Sequence, residues 1–98
     1  IPRNIQASAY TLVASDAGKA IRLASGGITI PNSVMDVGDA VTIINHSSSD
    51  QTITQGSGLT MYNAGDASTG NRTLAGRGMA TIWFNNASEC YISGGGLS

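Results

Sequence analysis

Short runs of alternating apolar and polar residues recur along this chain, separated by clusters of Gly, Asn, Asp and Ser. Within a run the apolar positions lie two residues apart, which is the period of a β-strand with one buried face. No stretch shows the longer period of an amphipathic helix. The pattern predicts strands near residues 10–13, 20–23, 28–30, 40–45, 51–55, 59–62, 72–74, 79–85 and 89–93.

The segments between these runs carry turn chemistry. Gly26 and Gly27 suit positive φ angles, and Pro31 ends the strand at 28–30 because proline has no amide hydrogen for a ladder. Residues 46–50 are predicted to form a hairpin loop between the strands at 40–45 and 51–55. Many short strands with no room for crossover helices predict an all-β fold: a compact antiparallel sandwich, jelly roll or small barrel. A length of 98 residues supports one hydrophobic core, so residues 1–98 are predicted to be a single β domain.

Alternation also assigns the two faces of each strand, because successive side chains point to opposite sides of a sheet. The predicted core residues are Leu12, Ile21, Leu23, Ile28, Ile30, Val41, Ile43, Ile53, Ile82, Phe84 and Ile92. The residues predicted to face outward are Thr11, Arg22, Thr29, Thr42, Thr52, Thr54 and Thr81. A surface rich in Thr carries few of the charges that keep exposed strand edges apart, so we expect the edges to meet a partner chain.

Charged residues make up only 11% of the chain, against about 25% in typical soluble domains, and the net charge is −1. The five basic residues are scattered along the sequence, so nucleic acid is not an expected partner. No apolar run approaches the ~20 residues that a membrane-spanning helix needs, and membrane insertion is not expected. The single cysteine, Cys90, is predicted to be a small buried apolar residue. Because the chain opens on Ile1 rather than Met, we expect residues upstream of it.

Catalytic chemistry has little support in the sequence. A hydrolase would need His46, the only histidine, as a base for Ser57 with Asp39 or Asp50 to orient it, but no nucleophile-elbow pattern surrounds any serine. We interpret His46 as a solvated loop residue. No catalytic residue and no cofactor are predicted.

Metal binding is the other chemistry considered. Residues 63–71 concentrate oxygen-bearing side chains, which calcium favours, but their spacing departs from the EF-hand pattern and no bidentate acid closes the loop. The Asp residues flank Gly or Ser and are better explained as turn caps. No metal site is predicted.

Trp83 is the residue that stands out. In the run at 79–85, Ala80, Ile82 and Phe84 account for the inward face, which leaves Met79 and Trp83 on the other face. An outward tryptophan either packs beneath a loop or anchors a subunit or ligand contact, and Tyr62 and Tyr91 raise the same question. The candidate interface or ligand residues are Trp83, Met79, Tyr62 and Tyr91.

Several segments together resemble a module that recurs in virion proteins of tailed bacteriophages. The resemblance runs from Asn4 to the last residue and rests on YTLV at 10–13, SDAGK at 15–19, ITIP at 28–31, VGD at 37–39, TITQGSG at 52–58, GNRTL at 70–74 and ISGGGLS at 92–98. Such modules belong to tail fibres, receptor-binding tips and capsid-associated or head-decoration proteins, commonly at the C-terminal end of a longer chain. The resemblance implies homo-oligomers, with a trimer favoured, and no catalysis.

From the residues and the resemblance we expect a non-enzymatic structural protein of the virion, located on the capsid exterior or in a tail fibre. Its expected partners are further copies of itself and other virion proteins such as the capsid or a fibre shaft. The alternative is a carbohydrate-binding adhesion module of a tail fibre, with Trp83 or Tyr62 stacking on a sugar of a host surface glycan.

Overall fold

The computed structural model describes residues 1–98 and consists of nine β-strands and one short 3-10 turn, Ala14–Asp16. The strands are β1 (Arg3–Gln6), β2 (Tyr10–Thr11), β3 (Ala20–Leu23), β4 (Ile28–Ile30), β5 (Ala40–Asn45), β6 (Gln51–Gln55), β7 (Thr60–Asn63), β8 (Arg72–Asn86) and β9 (Glu89–Leu97). The prediction of an all-β fold is confirmed. None of the elements is a helix with the length and hydropathy needed to cross a lipid bilayer.

The first six strands form two parallel ladders. One ladder joins β1, β3 and β5, and the other joins β2, β4 and β6. The chain alternates between them, so each pair of consecutive strands forms one rung that stacks on the rung before it. Parallel neighbours are therefore linked through a strand of the other ladder rather than through a helix. The antiparallel arrangement that the sequence suggested is wrong for these strands, because a helix is not the only possible crossover.

The long strand β8 closes both ladders. Its first residues pair antiparallel with β6, from Arg72 to Leu74, and its later residues pair antiparallel with β5, from Met79 to Trp83. The predicted hairpin at 46–50 is therefore wrong, since β5 and β6 both pair with β8 instead of with each other. The separate strands predicted at 72–74 and 79–85 are two parts of this one strand.

The bend between those two parts lies at Gly76, Arg77 and Gly78. A Cβ atom on Gly76 would lie 2.7 Å from the Ser48 backbone, and one on Gly78 would lie 2.8 Å from the Gly95 carbonyl oxygen. Such close backbone approaches leave no room for a side chain, which explains the two glycines. The bend lets β8 follow the turn of the third rung beneath it.

The remaining two strands extend the sheet beyond β8. β9 pairs antiparallel with β8 from Asn86 back to Leu74, and β7 pairs in parallel with the first part of β9. All nine strands thus form one bent sheet that nearly closes into a barrel. β9 continues to Leu97, beyond the predicted end at residue 93, and β7 is shifted by one residue from the prediction.

One hydrophobic core fills the space inside the bent sheet. All eleven predicted core residues are buried, and none of the seven predicted outward residues is. Full burial of an aliphatic or aromatic side chain contributes about 1.5–3 kcal/mol, so this cluster supplies most of the driving force for folding. Core residues beyond the eleven are Met35, Leu59, Met61, Leu74, Ala80 and Cys90.

Two buried polar clusters close the ends of the core. At the first rung, Asp16 is only 1% exposed. Its carboxylate accepts hydrogen bonds from the Tyr10 hydroxyl at 2.6 Å, the Asn4 side-chain amide at 2.9 Å and the Val13 backbone amide at 3.0 Å. Gln6 donates to the Asn4 side-chain oxygen at 2.9 Å. Strand β1 was missed in the sequence because its inward positions are these polar residues rather than apolar ones.

The second polar cluster lies where the third rung turns. The side-chain amide of Gln51 donates to the Asn45 side-chain oxygen at 2.7 Å, and the Asn45 amide donates to the Leu74 carbonyl at 2.9 Å. The Asn45 amide also donates to the Ala75 carbonyl at 3.1 Å. These contacts tie the turn between β5 and β6 to the start of the bend in β8.

The Asp16 cluster makes stability depend on pH. Burial raises the pKa of Asp16, but the hydrogen bonds from Tyr10, Val13 and Asn4 together outweigh it and hold that pKa below the usual value. A carboxyl group with a lowered pKa stabilises the fold above its unfolded-state pKa of about 3.9, and this contribution is lost as pH falls through the folded-state pKa.

We predict that Asp16→Asn lowers the free energy of unfolding by about 1–3 kcal/mol at pH 7, since it leaves donors without their charged acceptor. Urea unfolding between pH 7 and pH 2 measures this, and the loss from the substitution should shrink toward the acid end. Asp50→Asn, which removes an exposed carboxylate in the turn at 46–50, is the control. Equal losses at both ends of the pH range would contradict the role assigned to Asp16.

Candidate functional site

The structure brings three of the four candidate residues together on adjacent strands. Trp83 of β8 lies opposite Tyr91 of β9, and Tyr91 lies opposite Tyr62 of β7. Met79 points to the same side as Trp83, four residues earlier on β8. Met79 is 51% exposed, Trp83 44% and Tyr91 43%, so the alternative that Trp83 packs beneath a loop is wrong. The prediction that Met79 and Trp83 face outward is confirmed.

The aromatic rings contact one another across the strands, the two tyrosines as a stacked pair and Trp83 tilted against Tyr91. The Tyr62 and Tyr91 ring centroids are 5.2 Å apart with an interplanar angle of 27°, and those of Trp83 and Tyr91 are 6.4 Å apart at 34°. A centroid distance as short as that of Tyr62 and Tyr91 is not possible for two rings that lie side by side in one plane. The two tyrosine rings therefore face each other. Tyr91 therefore has its ring flanked on both sides. On the outer side of Tyr62, Thr69 is the bridge partner, so the ring face left for a partner is the outer one of Trp83.

The surroundings of Trp83 leave its outer face open. Its neighbour on β5 is Ala40, whose methyl group is too small to cover an indole. Next along the ladder, the hydroxyls of Thr42 and Thr81 lie 3.2 Å apart, and Ser93 lies opposite Thr81. The result is a surface with an aromatic end and a hydroxyl-bearing centre.

The opposite end of this surface is cationic. Ala40, Thr42 and Ile44 occupy the outward positions of β5, and His46 follows at the next alternate position, just beyond the end of the strand. The Arg77 guanidinium lies 3.4 Å from the His46 Nδ1 atom. The pKa of His46 lies below its usual value. The largest cause is the positive charge of Arg22 on β3, followed by the slight burial of the ring and the charge of Arg77. We call this whole surface the Trp83 face; it comprises Arg22, Ala40, Thr42, Ile44, His46, Tyr62, Arg77, Met79, Thr81, Trp83, Tyr91 and Ser93.

The backbone of Arg77 adopts a strained conformation. Its φ angle is +65°, in the left-handed region where residues with a Cβ atom are disfavoured. Its backbone amide donates to the Ser47 carbonyl at 3.0 Å, which fixes the bend of β8 on the turn below. Glycine would adopt this conformation more easily, and both neighbours of Arg77 are glycines.

The other candidates from the sequence are not brought together into sites. Asp39 and His46 flank opposite ends of β5, about 20 Å apart at the rise of a strand, so Asp39 cannot orient His46. Asp66 in the segment 63–71 accepts hydrogen bonds from the backbone amide and hydroxyl of Ser68 and from Asn63, which is the turn-capping role expected of it. No group of three or more His, Cys, Asp or Glu side chains converges on one point.

Cys90 lies in the core, as predicted. Burial, with a smaller contribution from the Glu89 charge, raises the pKa of its thiol to about 12. The reactive thiolate is therefore scarce at neutral pH.

The chain has no enclosed pocket on its surface. Known proteins add no further information on the site, since neither a protein-family model nor a curated protein sequence matches the chain.

Sequence reasoning missed the cationic end of the Trp83 face. Arg22, His46 and Arg77 are far apart in the sequence, which gives the basic residues a scattered pattern. They lie close together only because of which strands are neighbours. Alternation places Arg22 on an outward position, but His46 and Arg77 lie outside the predicted strands, and alternation gives no information about which strands are neighbours.

Proposed function

We propose that this chain is a non-enzymatic structural module of a tailed-bacteriophage particle, which assembles as a homo-oligomer on the capsid exterior or in a tail fibre. The sequence resemblance motivates the virion context, and it favours a trimer. The structural observation that supports assembly is the open edge of the first rung, where β1 pairs only with β3.

The free edge of β1 has a defined set of backbone groups. The carbonyls of Pro2 and Gln6 accept hydrogen bonds from Ala20 at 2.8 Å and Ala24 at 2.9 Å, so these positions face β3. Because alternate residues of a strand direct their backbone groups to opposite sides, the amides and carbonyls of Arg3 and Ile5 face away from the sheet. They are free to pair with a strand of another chain.

Apolar side chains accompany this edge. Ile1 and Ile5 are both exposed, and Val13, which follows the second strand of the same rung, is exposed too. Exposed aliphatic side chains beside an unpaired edge favour burial against a second protein surface. A partner that adds a strand to β1 would gain both backbone hydrogen bonds and apolar contact, which supports assembly through this end of the molecule.

We predict that Ile5→Pro prevents assembly while the monomer keeps its fold. Proline removes the outward amide of residue 5 without removing a hydrogen bond to β3, and proline is tolerated in edge strands. Sedimentation analysis over a range of concentrations measures the oligomeric state, and circular dichroism checks the fold. Ile5→Val, which shortens the side chain but keeps the amide, is the control and should assemble. Unchanged assembly of Ile5→Pro would contradict the role of the β1 edge.

The wild-type protein provides the more general test. If it stays monomeric at high concentration and binds neither purified capsids nor fibre shafts, the proposal of a virion structural module is wrong.

The second candidate function is carbohydrate-binding adhesion to a host surface. It is favoured by the open outer face of Trp83, because the apolar face of a sugar ring packs well against an indole and the nearby hydroxyls can donate and accept hydrogen bonds. This role uses the Trp83 face, whereas assembly uses the β1 edge, and the two surfaces meet where Ile5 lies opposite Arg22.

We predict that Trp83→Ala abolishes binding to any glycan recognised by the wild-type protein on a glycan array. Thr52→Ala, which shortens an exposed strand residue on β6, serves as the control and should bind normally. Equal binding by Trp83→Ala in a folded sample would remove Trp83 from the site.

A further inference from the structure

The Trp83 face has a charge pattern that the whole chain lacks. The net charge of the protein is −1, yet the side chains of this face include Arg22, Arg77 and His46 and no carboxylate. Five of the carboxylates lie elsewhere: Asp16 in the first rung, Asp36 and Asp39 before β5, Asp50 in the turn at 46–50 and Asp66 before β8. The sixth, Glu89, lies just beyond the aromatic end, where it accepts a hydrogen bond from Asn85 at 2.7 Å, and so at the opposite end of the face from Arg22, His46 and Arg77.

The cationic groups are held close together without an internal counter-charge. The Arg77 guanidinium lies beside the His46 imidazole rather than beside a carboxylate. The charges that lower the pKa of His46 are those of Arg22 and Arg77. An anion placed beside the three side chains would relieve the repulsion between the two guanidinium groups and accept charge-assisted hydrogen bonds from both. This end of the face therefore suits an acidic group of a ligand.

The backbone of Arg77 gives an independent reason to assign it a function. A side chain at φ +65° is kept against a conformational preference for glycine, in a Gly-Arg-Gly segment where glycine would also satisfy the bend. Strained positions of this kind often belong to binding sites, where the side chain contributes to something other than stability.

The aromatic end lies at a fixed distance from the cationic end. His46 lies six positions along the chain from Ala40, which is the neighbour of Trp83, so at the rise of a strand the two ends are about 20 Å apart. The hydroxyls of Thr42 and Thr81 lie between them. An elongated ligand that reaches both ends would need an acidic group at one end, a flat apolar face at the other and hydrogen-bonding groups along its length.

We propose that the Trp83 face binds an acidic polysaccharide that lies along β5 and β8, with an anionic group of the polysaccharide at Arg22, His46 and Arg77 and a sugar ring against the outer face of Trp83. This inference rests on the adhesive candidate function and specifies its ligand class. An acidic peptide matches the cationic end but lacks a regular supply of ring faces and hydroxyls, so the acidic polysaccharide is the better match to the whole surface.

Two natural reporters make the test direct, because Trp83 is the only tryptophan and His46 the only histidine. Tetragalacturonate, an oligosaccharide with one carboxylate on each ring, is titrated into the full chain. Tryptophan fluorescence then reports on the aromatic end and the imidazole NMR signals report on the cationic end. Both signals should change with the same Kd, and binding should weaken as ionic strength rises.

Matched variants separate specific binding from general electrostatics. Arg22→Gln and Arg77→Asn should each weaken tetragalacturonate binding about tenfold, which corresponds to ~1.4 kcal/mol. Asparagine is chosen at position 77 because it tolerates a positive φ angle. Arg72→Gln makes the same change in net charge in the part of β8 that pairs with β6, where the guanidinium donates to Ser68 rather than lying beside His46, and should bind within about twofold of wild type.

The inference is overturned by a response from only one reporter, by equal weakening by Arg72→Gln, or by binding of a hexaglutamate peptide as tight as that of tetragalacturonate. Equal affinity for the neutral sugar maltotetraose would also overturn the acidic ligand but would leave carbohydrate adhesion standing. Failure to bind any saccharide would remove both adhesion and this inference, whereas assembly through β1 would be unaffected.

Discussion

The antiparallel pairing of β8 with both β5 and β6 is the interaction on which the rest of the structure depends. The first six strands form two separate parallel ladders, and each would end in an unpaired strand at the third rung without β8. β8 supplies hydrogen bonds to both ladders in one continuous segment and buries Leu74, Ala80, Ile82 and Phe84 against the residues beneath it. It also provides the surface on which β9 pairs. The single core exists because this strand joins the two ladders.

The same strand displays the proposed ligand surface. Because side chains alternate along β8, the residues that complete the core fix the direction of Met79, Thr81 and Trp83 on the other side. The bend at Gly76–Gly78 follows the turn of the third rung and places Arg77 beside His46. Paired strands flank β8 on both edges through most of its length, so the surface is built on a well-supported part of the sheet. A rigid platform of this kind needs no rearrangement to receive a partner, which limits the entropic cost of binding.

The sequence indicated which face of the sheet each side chain lies on, but it did not indicate which strands are neighbours. The alternation in 79–85 correctly separated Ile82 and Phe84 in the core from Trp83 outside, because the strand period acts within a single segment. Strand partners depend instead on contacts between distant segments, which is why β5 and β6 were expected to pair with each other. The meeting of Arg22 with His46 and Arg77 could not be inferred for the same reason. β1 was missed because Asn4 and Gln6 occupy inward positions where the Asp16 cluster, rather than the apolar core, receives them.

Native-state hydrogen exchange of the β8 amides, followed by NMR as urea is raised, tests most directly whether this strand holds the molecule together. The account predicts that the amides of residues 80–84 exchange only through global unfolding, with the same free energy and urea dependence as the most protected amides of β3 and β5. Exchange of the β8 and β9 amides through a smaller opening, while β3 and β5 remain protected, would contradict it.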